Sequence, residues 1–172
     1  MNTDPSSQIS MIYAMLKEHH GASPIMIDQS LLSDHDTKIR VQPCKWDGCA
    51  MYVGLEHKHV SKHLQHRHGL NTSATSEETQ GISCLWSNCF HSQMKPGNMA
   101  RHVLSTHLGV RWNCLTCQKS YTRDDAFRRH TQEKPSCQYA RPAVSFGDGS
   151  REIDTAGINS GCSFEQNVIC IP

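Results

Sequence analysis

The chain has 172 residues, of which 37% are hydrophobic and only 6% aromatic, too little apolar surface to offset the entropy of ordering one large core. The formal net charge is +1 but unevenly spread: residues 44–137 hold 12 Lys/Arg against 7 Asp/Glu, residues 1–43 hold 3 against 5 and residues 138–172 hold 2 against 4. A basic centre between acidic ends is compatible with a nucleic-acid-binding core.

The first residues, MNTDPSSQIS, lack the basic start and apolar run of a signal peptide. No stretch approaches the roughly 18 apolar residues of a membrane span. The expectation is an intracellular chain without a membrane segment, in a reducing compartment where nine cysteines stay available to bind metal.

In chain order, Ile9, Ile12, Tyr13 and Leu16 recur at helical spacing and predict a short helix ended by Gly21 and Pro24. A second apolar patch runs from Ile25 to Leu32 and gives way to an Asp/Ser-rich stretch. Residues 1–43 are therefore read as a flexible arm with local helix, the alternative being a docking helix for a protein partner. Residues 69–83, GLNTSATSEETQGIS, are too polar to pack and read as a linker. The tail at 138–172 shows neither helical nor strand period, so disorder is expected, with Cys162 and Cys170 as plain thiols.

The central third repeats one pattern. Residues 44–68 read Cys44-x4-Cys49-x13-His63-x4-His68, and residues 84–107 read Cys84-x4-Cys89-x12-His102-x4-His107. Residues 114–137 read Cys114-x2-Cys117-x12-His130, with Cys137 after a six-residue gap as the fourth donor. Zinc takes four thiolate or imidazole donors at tetrahedral corners, and a small ββα unit supplies two from a hairpin and two from a helix end. The predicted fold is therefore a set of tandem zinc-stabilised ββα units between largely disordered arms, holding three Zn2+ ions. His57, His59 and His66 compete in the first unit, but His59 follows Cys49 too soon and His66 lies three positions after His63. Histidines five positions apart need a helix that loosens in its last turn, and Gly69 and Gly109 stand where such a turn would stop.

Each unit also has a small core. In the third, Tyr121 and Phe127 are expected to meet over the metal; in the second, Met99 is kept and Phe90 or Met94 stands in for an aromatic side chain, because Gln93 occupies that position. The first offers Val53 with Val60, or Tyr52.

At these residues the chain resembles the C2H2 zinc-finger family of sequence-specific DNA-binding regulators across roughly residues 44–137. Trp46 and Trp86 lie between the cysteines of the first two units, which looks like the paired tryptophan-containing fingers of Gli and Zic regulators, and the Cys-Cys-His-Cys set of the third is similar to fungal fingers. The resemblance implies that Trp46 and Trp86 pack together across the linker. It also numbers the helix positions that reach successive bases. These are Arg123, Ala126 and Arg129 in finger three, Lys95, Asn98 and Arg101 in finger two, and Glu56, His59 and Lys62 in finger one. Asp125 is placed to brace Arg123 for a bidentate arginine–guanine contact.

The expected function is a nuclear, monomeric transcriptional regulator binding double-stranded DNA at G-rich sites through fingers three and two. Protein partners would meet the N-terminal arm or fingers one and two. The alternative is a zinc-finger protein-interaction module with weak nucleic-acid binding. An enzyme is not expected: there is no H-E-x-x-H pair, and every proposed site is closed by four protein donors.

Overall fold

The computed structural model describes residues 10, 11, 14, 15, 18, 24–32, 38–71, 80–91, 93–156, 158, 163–164 and 168–171. Ser10, Met11, Ala14, Met15 and Glu18 are helical, whereas Ile9, Ile12, Tyr13, Leu16, Gly21, the middle of the linker at 72–79 and Cys162 lie outside the described residues.

The first unit begins before its cysteines. Strand β1 (Ile25–Asp28) leads through a 3-10 turn (Gln29–Leu32) to β2 (Lys38–Pro43), which pairs antiparallel with β3 (Tyr52–Gly54). Helix α1 (His57–His68) follows, burying His59, Val60, His63 and Leu64 on one face. It stops at Gly69, whose left-handed backbone (φ 64°) turns its N–H onto the Leu64 carbonyl, a bond one residue longer than an α-turn. Among the described residues the second unit shows no hairpin strands: an isolated bridge joins Ile82 to Met94 before α2 (Pro96–His102), with Pro96 in the first turn where its missing N–H is harmless. Beyond His102 the helix widens into a π-turn over Val103–His107. That turn brings residues five apart into register, which the His-x4-His spacing demands.

The third unit consists of β4 (Arg111–Cys114), β5 (Ser120–Tyr121) and α3 (Asp124–Glu133), and a 3-10 turn at Pro135–Cys137 carries the chain back to the helix end. That turn absorbs the six-residue gap before Cys137.

Two expectations are corrected. The arm at 1–43 is not flexible throughout, since it supplies β1 and β2. The tail at 138–172 is not disordered where described: it forms β6 (Pro142–Ser145), β7 (Arg151–Asp154), β8 (Ser163–Phe164) and β9 (Val168–Ile171). Each tail strand completes a sheet begun upstream. Strand β6 pairs with β4, β7 with β2 and β9 with β1, giving three-stranded sheets ordered β5-β4-β6, β3-β2-β7 and β1-β9-β8. Between β6 and β7, Gly147 donates its N–H to Leu108 at 2.9 Å. A Cβ on Gly147 would sit 2.8 Å from that same carbonyl oxygen, so the close approach requires glycine.

The largest core group joins the first two units. Val53, Leu55, Val60 and Leu64 from one pack with Met99, Val103, Leu104 and Leu108 from the other, around Trp46 and Trp86. A second group joins Ile27, Leu31, Ile39 and Val41 from the arm to Ile153 and Ile169 from the tail. No helix among the described residues is long and apolar enough to cross a membrane.

Candidate metal centres

Three groups of donors converge, within 4.8 Å of one another in each: Cys44, Cys49, His63 and His68; Cys84, Cys89, His102 and His107; Cys114, Cys117, His130 and Cys137. None of the described cysteines is in a disulfide. The spacings fit zinc. Bonds of about 2.3 Å to sulfur and about 2.0–2.1 Å to nitrogen at tetrahedral angles set S···N neighbours roughly 3.5 Å apart and N···N neighbours roughly 3.3 Å apart. In the first group Cys44 Sγ is 3.6 Å from His68 Nε2, Cys49 Sγ 3.8 Å from His63 Nε2, and the two imidazole nitrogens are 3.3 Å apart. The corresponding distances in the second are 3.5, 3.4 and 3.1 Å, and in the third Cys117 Sγ is 3.4 Å from His130 Nε2. Three Cys/His sites are therefore able to hold metal ions, consistent with three zinc ions.

The electrostatics push the donors in both directions. The Cys49 thiol is pushed down to about 2 by its hydrogen bond with Cys44, helped by His63 and His68 and opposed by burial. Cys44 is pushed up by the same shared hydrogen bond and by burial. Burial raises Cys84 to about 11, and burial with the neighbouring His102 lowers His107 to about 4, keeping that imidazole neutral. Burial works against ionisation of Cys114, but backbone N–H groups of Cys117 and Thr116, with His130, outweigh it and hold the thiol at about 6. A cation would favour the thiolates further.

The aromatic side chains sit where the spacing put them in finger three: Tyr121 stacks on His130 at 5.0 Å and meets Phe127 edge-on at 6.1 Å. In finger two Met94 packs against the core, and Phe90, 93% exposed, does not. Val53 and Val60 are fully buried in finger one, while Tyr52 packs toward the arm and tail. Trp46 and Trp86 are 3% and 5% exposed and belong to one core group. Their backbones bridge, with Asp47 N–H donating to Leu85 at 3.2 Å and Ser87 N–H to Lys45 at 2.9 Å. Each indole lies against its own finger's last histidine, Trp46 on His68 at 5.5 Å and Trp86 on His107 at 5.2 Å.

The candidate DNA-reading side chains Lys95, Asn98, Arg101, Arg123, Asp125 and Arg129 are all exposed. Asp125 braces Arg123 in a two-point ion pair, Nε to Oδ1 at 2.8 Å with a second, shorter contact from Nη2 to Oδ2. Arg101 and Arg123 line one cleft of about 600 Å³, together with Glu56 and His57 at the start of α1. Finger one departs from expectation: His59 is 5% exposed and cannot reach a base. Its ring lies on Gly54, where a Cβ would be 2.7 Å from both His59 Nδ1 and Leu31. Glu56 and His59 also share a pocket with Phe146 and Glu152 of the tail.

Sequence reasoning missed the ion pair of Asp28 with Arg67, which ties β1 to α1 at 3.0 Å with both side chains nearly buried. It had no local signal, because its partners lie 39 positions apart. It also missed His91, whose Nδ1 is 3.8 Å from Cys89 Sγ; that histidine was visible two residues beyond a ligand.

Among curated proteins, the chain is similar to the pH-response transcription factor pacC/RIM101 of Eremothecium gossypii. The two are 23% identical over 133 residues, covering 75% of this chain and 29% of that protein. The chain thus spans under a third of the length of this relative. The likeness and the Cys/His clusters together support zinc fingers of the C2H2 type. No family model and no solved structure matches.

Proposed function

We propose that the chain is a nuclear, sequence-specific DNA-binding regulator in which fingers three and two read base edges and finger one is a packing partner. The observation that carries this reading is the pairing of Arg123 with Asp125 beside Arg101 at one exposed cleft. A guanidinium held in extended form by a carboxylate, next to a second arginine, offers two forks for adjacent guanines. The likeness to a transcription factor points the same way. So does the Gli- and Zic-like joining of fingers one and two through their tryptophans, while finger one's middle reading residue, His59, is buried.

By the antiparallel docking of related fingers, finger three takes the 5′ triplet. Arg129 and Arg123 then call for guanine at its ends, and Lys95, Asn98 and Arg101 read G-A-G in the next, giving 5′-GNGGAG-3′. The protein-interaction alternative finds support in Phe90, left 93% exposed beside the second site. Titration of the zinc-loaded chain with random duplex at several salt concentrations separates the two. The DNA reading predicts measurable affinity that falls steeply with salt, whereas near-zero affinity at low salt would leave the interaction module standing.

A further inference from the structure

The second metal site has more donors than it needs. His91 Nδ1 stands 3.8 Å from Cys89 Sγ, the same distance that separates the ligand pair Cys49 and His63 in finger one. Its ring also meets His102 edge-on at 4.8 Å between centroids. His91 therefore stands beside two of the four donors of this site, Cys89 and His102. The residue in the same place after Cys49 is Met51, which is fully buried. His91 is exposed and outside any strand, because finger two has only the Ile82–Met94 bridge in place of a hairpin.

His107, the last donor of the site, sits in the π-turn at the end of the helix rather than within its α-helical part, and the π-helix is the rare form of the helical ladder. A neutral imidazole also leaves a cation at smaller electrostatic cost than a thiolate does.

We propose that His91 is a reserve ligand of the second zinc site, able to supply the fourth donor when His107 leaves, and that it slows the loss of this site's ion. The proposal rests on the zinc reading of the cluster. Its physical content is ligand substitution: a Cys89–His102–Cys84 set completed by His91 keeps two thiolates and two imidazoles, the same charge and donor types as the original. The imidazole would bind through whichever ring nitrogen carries its lone pair. The site would then pass between two closed forms without being left with three protein donors. Finger two, whose Arg101 lines the cleft with Arg123, would thus keep its ion longer as zinc falls.

The test uses the full chain and cobalt(II), whose tetrahedral thiolate complexes absorb visibly. The unmodified chain should take up three tetrahedral ions, matching its three clusters. His107→Ala should still take up the same number, with the absorption of a two-thiolate, two-imidazole site retained, and His91→Ala/His107→Ala should bind one ion fewer. Zinc release to excess chelator from His91→Ala should be several-fold faster in one phase, with the other two unchanged. The proposal is overturned if His107→Ala by itself loses an ion, if the double variant keeps all three, or if release from His91→Ala matches the unmodified chain. A chain that binds fewer ions than three before any substitution would refute the zinc reading instead.

Discussion

Replacing Trp86 by alanine tests whether fingers one and two are one cooperative body. The indole is 5% exposed and sits among side chains from both fingers. A Trp side chain buries about 150–250 Å², which at roughly 25 cal/mol per Å² is worth about 4–6 kcal/mol as an upper estimate. Measured Trp-to-Ala losses in cores run at about 3–5 kcal/mol. A loss of that size lowers protection of amides that exchange by cooperative opening by about two to four powers of ten. The zinc ligands are untouched, so both ions should remain bound and the effect should be read as loosening rather than loss of metal. The assay is amide exchange on the zinc-loaded variant, following Val60 and Leu64 in α1 and Met99 and Val103 in finger two. Because the first pair belongs to the same core group as Trp86, its protection should fall alongside the second. If only Met99 and Val103 lose protection, the shared core does not couple the fingers and the reasoning fails.

Chelation should unfold residues 44–137, because metal binding supplies roughly 10–16 kcal/mol to such sites; helical circular dichroism that survives excess chelator would contradict this. Arg123→Ala should lower affinity for the preferred duplex by about 1–3 kcal/mol and relax the third base only, while Asp125→Ala should weaken the same position less; equal loss on every sequence would show that the arginine holds phosphate. Asp28→Asn should cost about 2 kcal/mol in chemical denaturation, the scale of hydrogen bonds to a charged group. Burial works against the Asp28 carboxylate, but Ser30 and Arg67 outweigh it and hold the carboxyl below its usual range. Its contribution is therefore complete at neutral pH and is lost only as pH falls through that depressed value, so the gap between variant and parent should stay constant from roughly pH 6 to 8. A gap that closes as pH drops from 8 to 6 would assign the effect to another group.

The twelve donors were legible because zinc coordination fixes residue type and spacing locally. Cys137 could be read despite its long gap, since only the path to it was hidden: the 3-10 turn at Pro135. The contact of Trp46 with Trp86 followed from resemblance, not from periodicity. What could not be read is the clasp formed by the arm and tail. Strands β6, β7 and β9 have four residues each, and β7 buries Ile153 alone. Such segments carry no detectable period and become strands only by pairing with partners such as Ile39, more than a hundred positions upstream of Ile153. His59 illustrates the other limit. Position numbering along a helix predicts an outward side chain, but Gly54 and Leu31 make a recess that draws it inward.

Selection of binding sites from a random duplex pool by the zinc-loaded full chain tests the central claim most directly. The account predicts enrichment of 5′-GNGGAG-3′, with guanine at the third position disappearing when the selection is repeated with Arg123→Ala. A pool that emerges without guanine preference at that position, or without any preferred sequence, would contradict it.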